Sequence, residues 1–186
     1  MTPDRLAAVL TIGGSAVFLV GAAIGVPAVF AQADADARLH LLRDNLTRWR
    51  IAQPLYALGP LLVAAGVGVL AAETSSPAAR AALTASFLAL ASGGLAWVRS
   101  VHQRAVRVAE FAHRALPAWP FATYVLLTIG GLALLAIGLL ADHVAPLIAW
   151  VSVAADAAFL AAYLRFSDLP PFVFYLLLPA IAVALW

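Results

Sequence analysis

Asp156 is the one charged residue within an apolar stretch that runs from His143 to Leu164. An aspartate at the centre of a membrane helix costs about 2.5 to 3.5 kcal/mol, so such a side chain normally faces protein or water and has a partner. Ser152 precedes it by one helical turn and Tyr163 follows it by two, which predicts a polar stripe. We therefore predict a site for a ligand, a cation or a proton at Asp156. The alternative is a paired or protonated aspartate that only fixes helix packing.

Polar residues on other predicted helices are candidate partners for this carboxyl group. They lie near the ends of apolar runs or on the fourth run: Arg99, Tyr56, Gln53, Tyr124 and Thr128. The first three complete the predicted binding site together with Asp156, Ser152 and Tyr163. The sequence does not choose among them, because it does not show how the helices face one another.

Histidines raise a second possibility, an enzyme that acts on a lipid at the membrane surface. His102 and His113 are eleven residues apart on one helix face, which separates them by about 16 Å and is too far for one metal ion. Neighbouring arginines would bind the lipid, and a histidine paired with a carboxylate would act as a base. A haem held by His40 and either His102 or His113 is a further alternative. Otherwise we expect no cofactor and no metal.

Missing residue types exclude several kinds of chemistry. The chain has no cysteine, which removes disulfides, thiolate metal sites and cysteine nucleophiles. It has no lysine, which removes Schiff-base chemistry. Phosphate-binding glycine loops and hydrolase motifs do not occur either. The net charge of +2 is small, so we expect no nucleic-acid partner.

Long uncharged runs must position these residues. With 65% hydrophobic and 11% charged residues, the chain is far from the composition of a soluble protein. A helix needs about 20 residues to cross the hydrocarbon layer. We predict a single all-α transmembrane bundle over residues 1–186, with six spans near residues 6–30, 51–72, 81–98, 119–141, 144–164 and 170–186. Pro179 lies inside the last segment, so five spans plus a re-entrant segment is the alternative.

The distribution of arginines predicts the orientation. If all six segments cross, nine of the eleven arginines share one side: Arg38, Arg43, Arg48, Arg50, Arg99, Arg104, Arg107, Arg114 and Arg165. The positive-inside rule makes that side cytoplasmic. We therefore predict an integral protein of the cytoplasmic membrane with both termini on the non-cytoplasmic side. Five of these nine arginines are predicted to contact anionic lipid headgroups: Arg43, Arg48, Arg50, Arg104 and Arg107.

Both arginine-rich loops have the apolar rhythm of helices that lie on a membrane surface. The first carries apolar residues at Leu39, Leu42, Leu46 and Trp49, and Asp34 and Asp36 favour its N-terminus. The second keeps a similar rhythm from Val98 to Leu116 and ends at Pro117. We therefore predict two interfacial amphipathic helices.

Small residues seven apart predict the faces through which the spans pack. The pairs are Gly14 and Gly21, Gly59 and Gly66, Ser86 and Gly93, and Gly131 and Gly138. A face with Gly14, Gly21 and Gly25 left unfilled would instead indicate a structural subunit that assembles with itself or with another protein.

The polar site at Asp156 makes binding or transport of a small or lipid-like ligand the first functional hypothesis. The interfacial enzyme and the structural subunit are the alternatives.

Overall fold

The computed structural model describes residues 2–166 and 169–184 of the chain. Helices dominate this part: α1 (Pro3–Ile24), α2 (Ala28–Ala31), α3 (Ala35–Asp44), α4 (Leu46–Glu73), α5 (Pro77–Val106), α6 (Val108–Ala112), α7 (Trp119–Ala141), α8 (Pro146–Phe166) and α9 (Phe172–Ala184). Five of these, α1, α4, α5, α7 and α8, are long and apolar enough to cross a membrane. The expected all-α membrane bundle is therefore confirmed.

The first span is shorter than its apolar run. Residues 6–30 were predicted as one helix, but α1 ends at Ile24. Val26 has a φ of 58°, in the left-handed region, and Pro27 follows it. A β-branched residue in that conformation followed by proline cannot continue a helix, so Ala28–Ala31 forms a separate turn.

The second and third spans are longer than predicted, because they absorb parts of the arginine-rich loops. Leu46 and Trp49 begin α4 after a break at Asn45, where φ is −119°. Val98–Val106 continues α5, and the chain turns at Arg107 into the short helix α6. Neither loop is thus the one continuous surface helix predicted from its rhythm. Asp34 does begin α3, where its side chain accepts a hydrogen bond from the Ala37 amide at 2.7 Å.

The two loops pack against each other and form what we call the cap: α2, α3, α6 and the first turn of α4. Its small core includes Val29, Leu42, Trp49 and Ala112, which have no exposed surface. The Trp49 indole donates to the Arg104 carbonyl at 3.0 Å. The apolar faces of α3 and α6 are therefore used within the protein, and the loops after the first and third spans lie at the same end.

Glycines set the contact between α1 and α4. A Cβ atom added at Gly14 would lie 2.7 Å from the Gly59 carbonyl oxygen, so the two backbones touch. In α5 and α7, the Ser86 hydroxyl donates to the Gly131 carbonyl at 2.7 Å. Small residues seven apart thus mark contact faces, as the spacing predicts.

An unfilled glycine face for a partner, by contrast, is not found. Added Cβ atoms at Gly21 and Gly25 would lie 3.1 Å from the Leu55 Cβ and 3.0 Å from the Tyr56 hydroxyl oxygen. Together with Gly14, both glycines are covered by α4 of the same chain. Assembly with other copies or proteins stays an untested prediction.

The last helix packs one face against the bundle, while Leu176 and Val183 on its other face are exposed. α9 has 13 residues in the described part of the chain, about 20 Å at 1.5 Å per residue. Tyr175 stacks on Phe18 of α1 with ring centroids 3.9 Å apart, and its hydroxyl lies 2.9 Å from the Tyr124 hydroxyl of α7. Phe174 and Leu178 are also buried. α9 therefore closes the aromatic core between α1 and α7.

Candidate functional site

A cavity of about 780 Å³ lies between the cap and the cap-side ends of α1, α5 and α7. This is the size of pocket that holds a small ligand. Its walls also include the segment from Arg114 to Phe121 and the start of α9. Three arginines and several aromatic rings line this space, so its wall is both charged and apolar. We call it the cap cavity.

Arg38 supplies a buried positive charge to the wall of the cavity. It is 4% exposed, and its guanidinium donates to the carbonyl oxygens of Gln32, Ala33 and Ala112, the last at 2.6 Å. None of these partners is a carboxylate, and the described residues give Arg38 no ion pair. Burying a charge is costly unless opposite charge or hydrogen bonds compensate it. Here carbonyl dipoles hold the guanidinium in place but do not neutralise it.

Arg104 and Arg114 are the other two arginines of the wall. The Arg104 guanidinium carbon lies 4.8 Å from the Trp97 ring centroid, 5.4 Å from that of Phe111 and 5.8 Å from that of Phe121. Such cation–π contacts orient the guanidinium group. Arg114 is exposed at the rim, in a left-handed conformation with φ of 54°.

Tyr56 and its neighbours form the aromatic floor. Its ring packs edge-on against Phe18 at 5.0 Å, and its carbonyl accepts from the Trp97 indole at 2.9 Å. Tyr56 is only 8% exposed, and its hydroxyl makes no hydrogen bond to any described residue. The absent side chain of Gly25 leaves room for this oxygen. The floor thus offers one polar group to a ligand within an aromatic surface.

Asp156 is buried in α8 but does not reach this cavity. It is 4% exposed, and neither carboxylate oxygen has a hydrogen-bond partner in the described chain. Ser152 is also buried and donates to the Ile148 carbonyl at 2.9 Å, whereas Tyr163 is half-buried against the core. None of the three lines the cap cavity or a smaller cavity near Thr74 and Asp142. The expected passage to Asp156 is therefore not among them.

The candidate partners of Asp156 are engaged elsewhere. Arg99 is exposed, with its guanidinium carbon 4.9 Å from the Trp119 ring centroid. The Gln53 amide donates to the Trp49 carbonyl at 3.2 Å, and its oxygen has no partner among the described residues. Tyr56 is the one member of the predicted binding set that lines the cap cavity.

The arginines predicted for headgroups divide into two kinds. Arg43, Arg48 and Arg50 are exposed on the cap and on the start of α4, away from the cavity. Arg107 is exposed and pairs with Glu110, where its Nε donates at 2.6 Å. Arg104 alone of the five lines the cavity.

Histidine geometry does not support the enzyme or the haem. The His40 Nδ1 atom lies 2.8 Å from the Asp44 Oδ2 atom, and the His113 Nε2 atom lies 3.6 Å from the Asp36 Oδ1 atom. All four side chains are largely exposed. His102 is also exposed. None of these histidines lines either cavity, and residues 2–166 with 169–184 contain no cluster of three or more potential metal ligands.

Sequence reasoning missed Arg38 and Arg114 as site residues. A signal for Arg38 exists, because it precedes Leu42 by one turn and so shares the buried face of α3. For Arg114 we find no such signal, since its position depends on how the segment after α6 folds back.

No protein-family model matches this chain, and neither the curated proteins nor the solved structures contain a detectable relative.

Proposed function

We propose that this protein binds an anionic, lipid-like molecule in the cap cavity. The observation that carries the proposal is the buried residue Arg38, which lines the cavity and has no carboxylate partner in the described chain. A phosphate group would supply the missing charge, and the one Nη1 hydrogen of Arg38 that no carbonyl accepts can form a charge-assisted hydrogen bond with it. Arg114 would contact the same group from the rim.

The hydrophobic part of this ligand would lie on the aromatic floor. Phe18, Trp97 and Phe121 line this floor with apolar ring atoms, and the Tyr56 hydroxyl can donate to an ester or phosphate oxygen. The wall formed by Phe166 and Phe172 is exposed, so acyl chains could leave the cavity there toward the surrounding lipid. Binding is the activity proposed; movement of the ligand across the membrane is a further step.

We place the cap on the cytoplasmic side, where anionic lipids attract arginine. In this arrangement α9 begins at the cap end and makes a sixth, short crossing, which leaves both termini outside. Arg43, Arg48 and Arg50 would contact headgroups of the surrounding bilayer, and the exposed sides of α3 and α6 would lie at the interface.

A pair of short-chain lipids tests the charge requirement. The full chain in phosphatidylcholine nanodiscs is titrated with dioctanoylphosphatidylglycerol and with dioctanoylphosphatidylcholine, which have the same tails but different net charge. Calorimetry against empty nanodiscs should show one saturable site for the anionic lipid and none for the zwitterionic lipid. Equal binding of the two lipids would contradict the proposal.

Two variants locate the binding site. Arg114→Gln should weaken binding of the anionic lipid about tenfold, which corresponds to one lost charge-assisted hydrogen bond. Arg43→Gln is the matched control, because Arg43 is also an exposed arginine at this end of the bundle but does not line the cavity. An equal loss in both variants would indicate diffuse attraction to the surface. Tyr56→Phe should weaken binding without lowering thermal stability, since its hydroxyl has no partner within the described protein.

A further inference from the structure

Two hydroxyl groups that line the cap cavity have no hydrogen-bond partner within the described protein. They belong to Tyr56 and Ser100, which are 8% and 7% exposed. In the described chain, the buried polar atoms that lack both a partner and accessible surface belong to Gln53, Thr74 and Asp156. The Tyr56 and Ser100 oxygens are not among them. These two oxygens therefore keep accessible surface, and the space that they line is the cap cavity.

Ser100 differs in this respect from other buried serines of the bundle. The Ser15 and Ser152 hydroxyls donate to the carbonyl four residues earlier in their own helices, at 2.8 and 2.9 Å. The Ser86 hydroxyl donates to the Gly131 carbonyl of a neighbouring helix at 2.7 Å. Buried hydroxyls are normally paired, because an unpaired one loses the hydrogen bonds that it made in water. Ser100 thus offers a hydrogen bond that the described chain does not use.

Both hydroxyl groups lie directly below the cap, whereas Arg38 belongs to it. The Tyr56 hydroxyl is adjacent to Gly25, which follows the last residue of α1. Ser100 precedes Arg104 by one turn of α5, and the Arg104 carbonyl bonds to the cap core. A ligand whose phosphate binds Arg38 would therefore place its next groups at these two hydroxyls.

An apolar chain on the aromatic floor would remove water from both hydroxyl groups. Water can bond to them while no ligand is present. A bound chain displaces this water and must replace its hydrogen bonds, because an unpaired hydroxyl in an apolar setting is costly. The groups that join the chains of the ligand to its phosphate must therefore accept hydrogen bonds. Ester carbonyl oxygens accept them well, whereas ether oxygens are weak acceptors and methylene groups accept none.

We propose that the cap cavity selects a lipid with acyl ester linkages, whose carbonyl oxygens accept hydrogen bonds from the Ser100 and Tyr56 hydroxyls. Both hydroxyls act as donors in this arrangement. The inference rests on the proposed function and narrows its ligand from any anionic lipid-like molecule to an anionic acyl ester. Ser100 becomes a specificity-determining residue of the cavity.

Two lipids with the same charge and the same chain length test the linkage. Dioctanoylphosphatidylglycerol has two ester groups, and its dioctyl diether analogue has ether oxygens in their place. Each is titrated into the full chain in phosphatidylcholine nanodiscs, with empty nanodiscs subtracted. The diester should bind about tenfold or more tightly than the diether, which corresponds to two lost hydrogen bonds.

The outcomes separate this inference from the proposed function. Equal affinity for the diester and the diether, with the zwitterionic lipid still unbound, would overturn the ester selectivity and leave the proposed function standing. Failure of both anionic lipids to bind would overturn the two together.

Substitution of Ser100 separates the linkage effect from any difference in how the two lipids enter the bilayer. Ser100→Ala should weaken diester binding about three- to tenfold, the value of one neutral hydrogen bond, and leave diether binding unchanged. Unchanged diether binding also shows that the variant is folded. Ser15→Ala is the matched control, because Ser15 is a buried serine that does not line the cavity, and it should change neither affinity. Equal losses for both lipids in Ser100→Ala, or no loss for either, would overturn the inference.

A diacyl lipid and a single-chain lysolipid share this ester chemistry. Palmitoyl lysophosphatidylglycerol has the same number of acyl carbons as dioctanoylphosphatidylglycerol, but in one chain with one ester. Displacement of the diester by the lysolipid at equal concentration would identify a single-chain ester as the source. Displacement only at much higher concentration would identify the diacyl lipid.

Discussion

Alanine substitutions at two adjacent glycines of α1 should change the free energy of unfolding in opposite directions. A Cβ atom at Gly13 meets nothing within 4 Å, whereas one at Gly14 would lie 2.7 Å from the Gly59 carbonyl oxygen and 2.9 Å from the Leu62 Cβ. The first distance is about 0.7 Å shorter than the 3.4 Å of an ordinary contact. Because the opposing atom is backbone, α1 and α4 must separate to admit the methyl group.

The expected magnitudes follow from these distances. Gly13→Ala should raise the free energy of unfolding by about 0.5 to 1 kcal/mol, because alanine has less backbone freedom to lose in a helix. Gly14→Ala has the same backbone effect, but overpacking costs about 1 to 3 kcal/mol. We expect Gly14→Ala to lower the free energy of unfolding by about 1 to 2 kcal/mol. The variants at the two neighbouring positions should thus differ by about 2 kcal/mol in this quantity.

The same five residues, Leu-Thr-Ile-Gly-Gly, recur at 127–131 in α7 and provide a replicate. Gly130 is open, and a Cβ atom at Gly131 would lie 2.7 Å from the Leu90 Cγ. A leucine side chain can shift more easily than a backbone carbonyl, so Gly131→Ala should cost less than Gly14→Ala. Unfolding in mixed dodecyl maltoside and SDS micelles, followed by tryptophan fluorescence, measures all four variants. Shifts of the same sign and size at Gly13 and Gly14 would refute the helix packing described here.

Three further predictions test other parts of the structure. Asp156→Ala should raise the free energy of unfolding by about 1 kcal/mol in the same assay, because it removes a buried carboxyl without partners; a marked loss would reveal a partner. Arg38→Gln should loosen the cap and speed trypsin cleavage after Arg107 or Arg114, whereas Arg43→Gln should not, and equal cleavage rates in both variants would contradict the bonding assigned to Arg38. The chain has no native cysteine, so single cysteines introduced at Asn45 and Glu110 should both react with an impermeant maleimide from the same side of the membrane. Single cysteines at Ser75 and Asp142 should react from the other side. Labelling of the Asn45 and Glu110 positions from opposite sides would disprove the fold.

The parts of the fold that depend on length and composition could be predicted from the sequence. The fourth span was predicted at residues 119–141 and is found at Trp119–Ala141, because proline at one end and polar residues at the other limit the apolar run. Glycines seven apart correctly indicated contact faces. Both signals are local, and the hydrocarbon thickness and helix geometry turn them directly into structure.

Features that arise from contacts between distant segments could not be predicted. The apolar rhythm of the loops indicated helices on a membrane surface, but the same rhythm also suits two segments that cover each other, as Leu42 and Ala112 do. Asp156 attracted attention as the one charge within a span, yet the cavity lies where the cap meets α1 and α5. Tyr56 belongs to that cavity because Gly25 and Trp97, from two other segments, surround it.

The most direct test of the proposed function is photocrosslinking from within the cap cavity. Benzoylphenylalanine in place of Phe121 would lie in the cavity wall, and in place of Leu126, exposed on the same helix, it would face surrounding lipid. In membranes of mixed phosphatidylglycerol and phosphatidylcholine, the Phe121 position should crosslink the anionic lipid in excess of its bulk share, and dioctanoylphosphatidylglycerol should suppress this. The Leu126 position should report the bulk ratio. The same lipid ratio at both positions would contradict a binding site for an anionic lipid-like molecule beneath the cap.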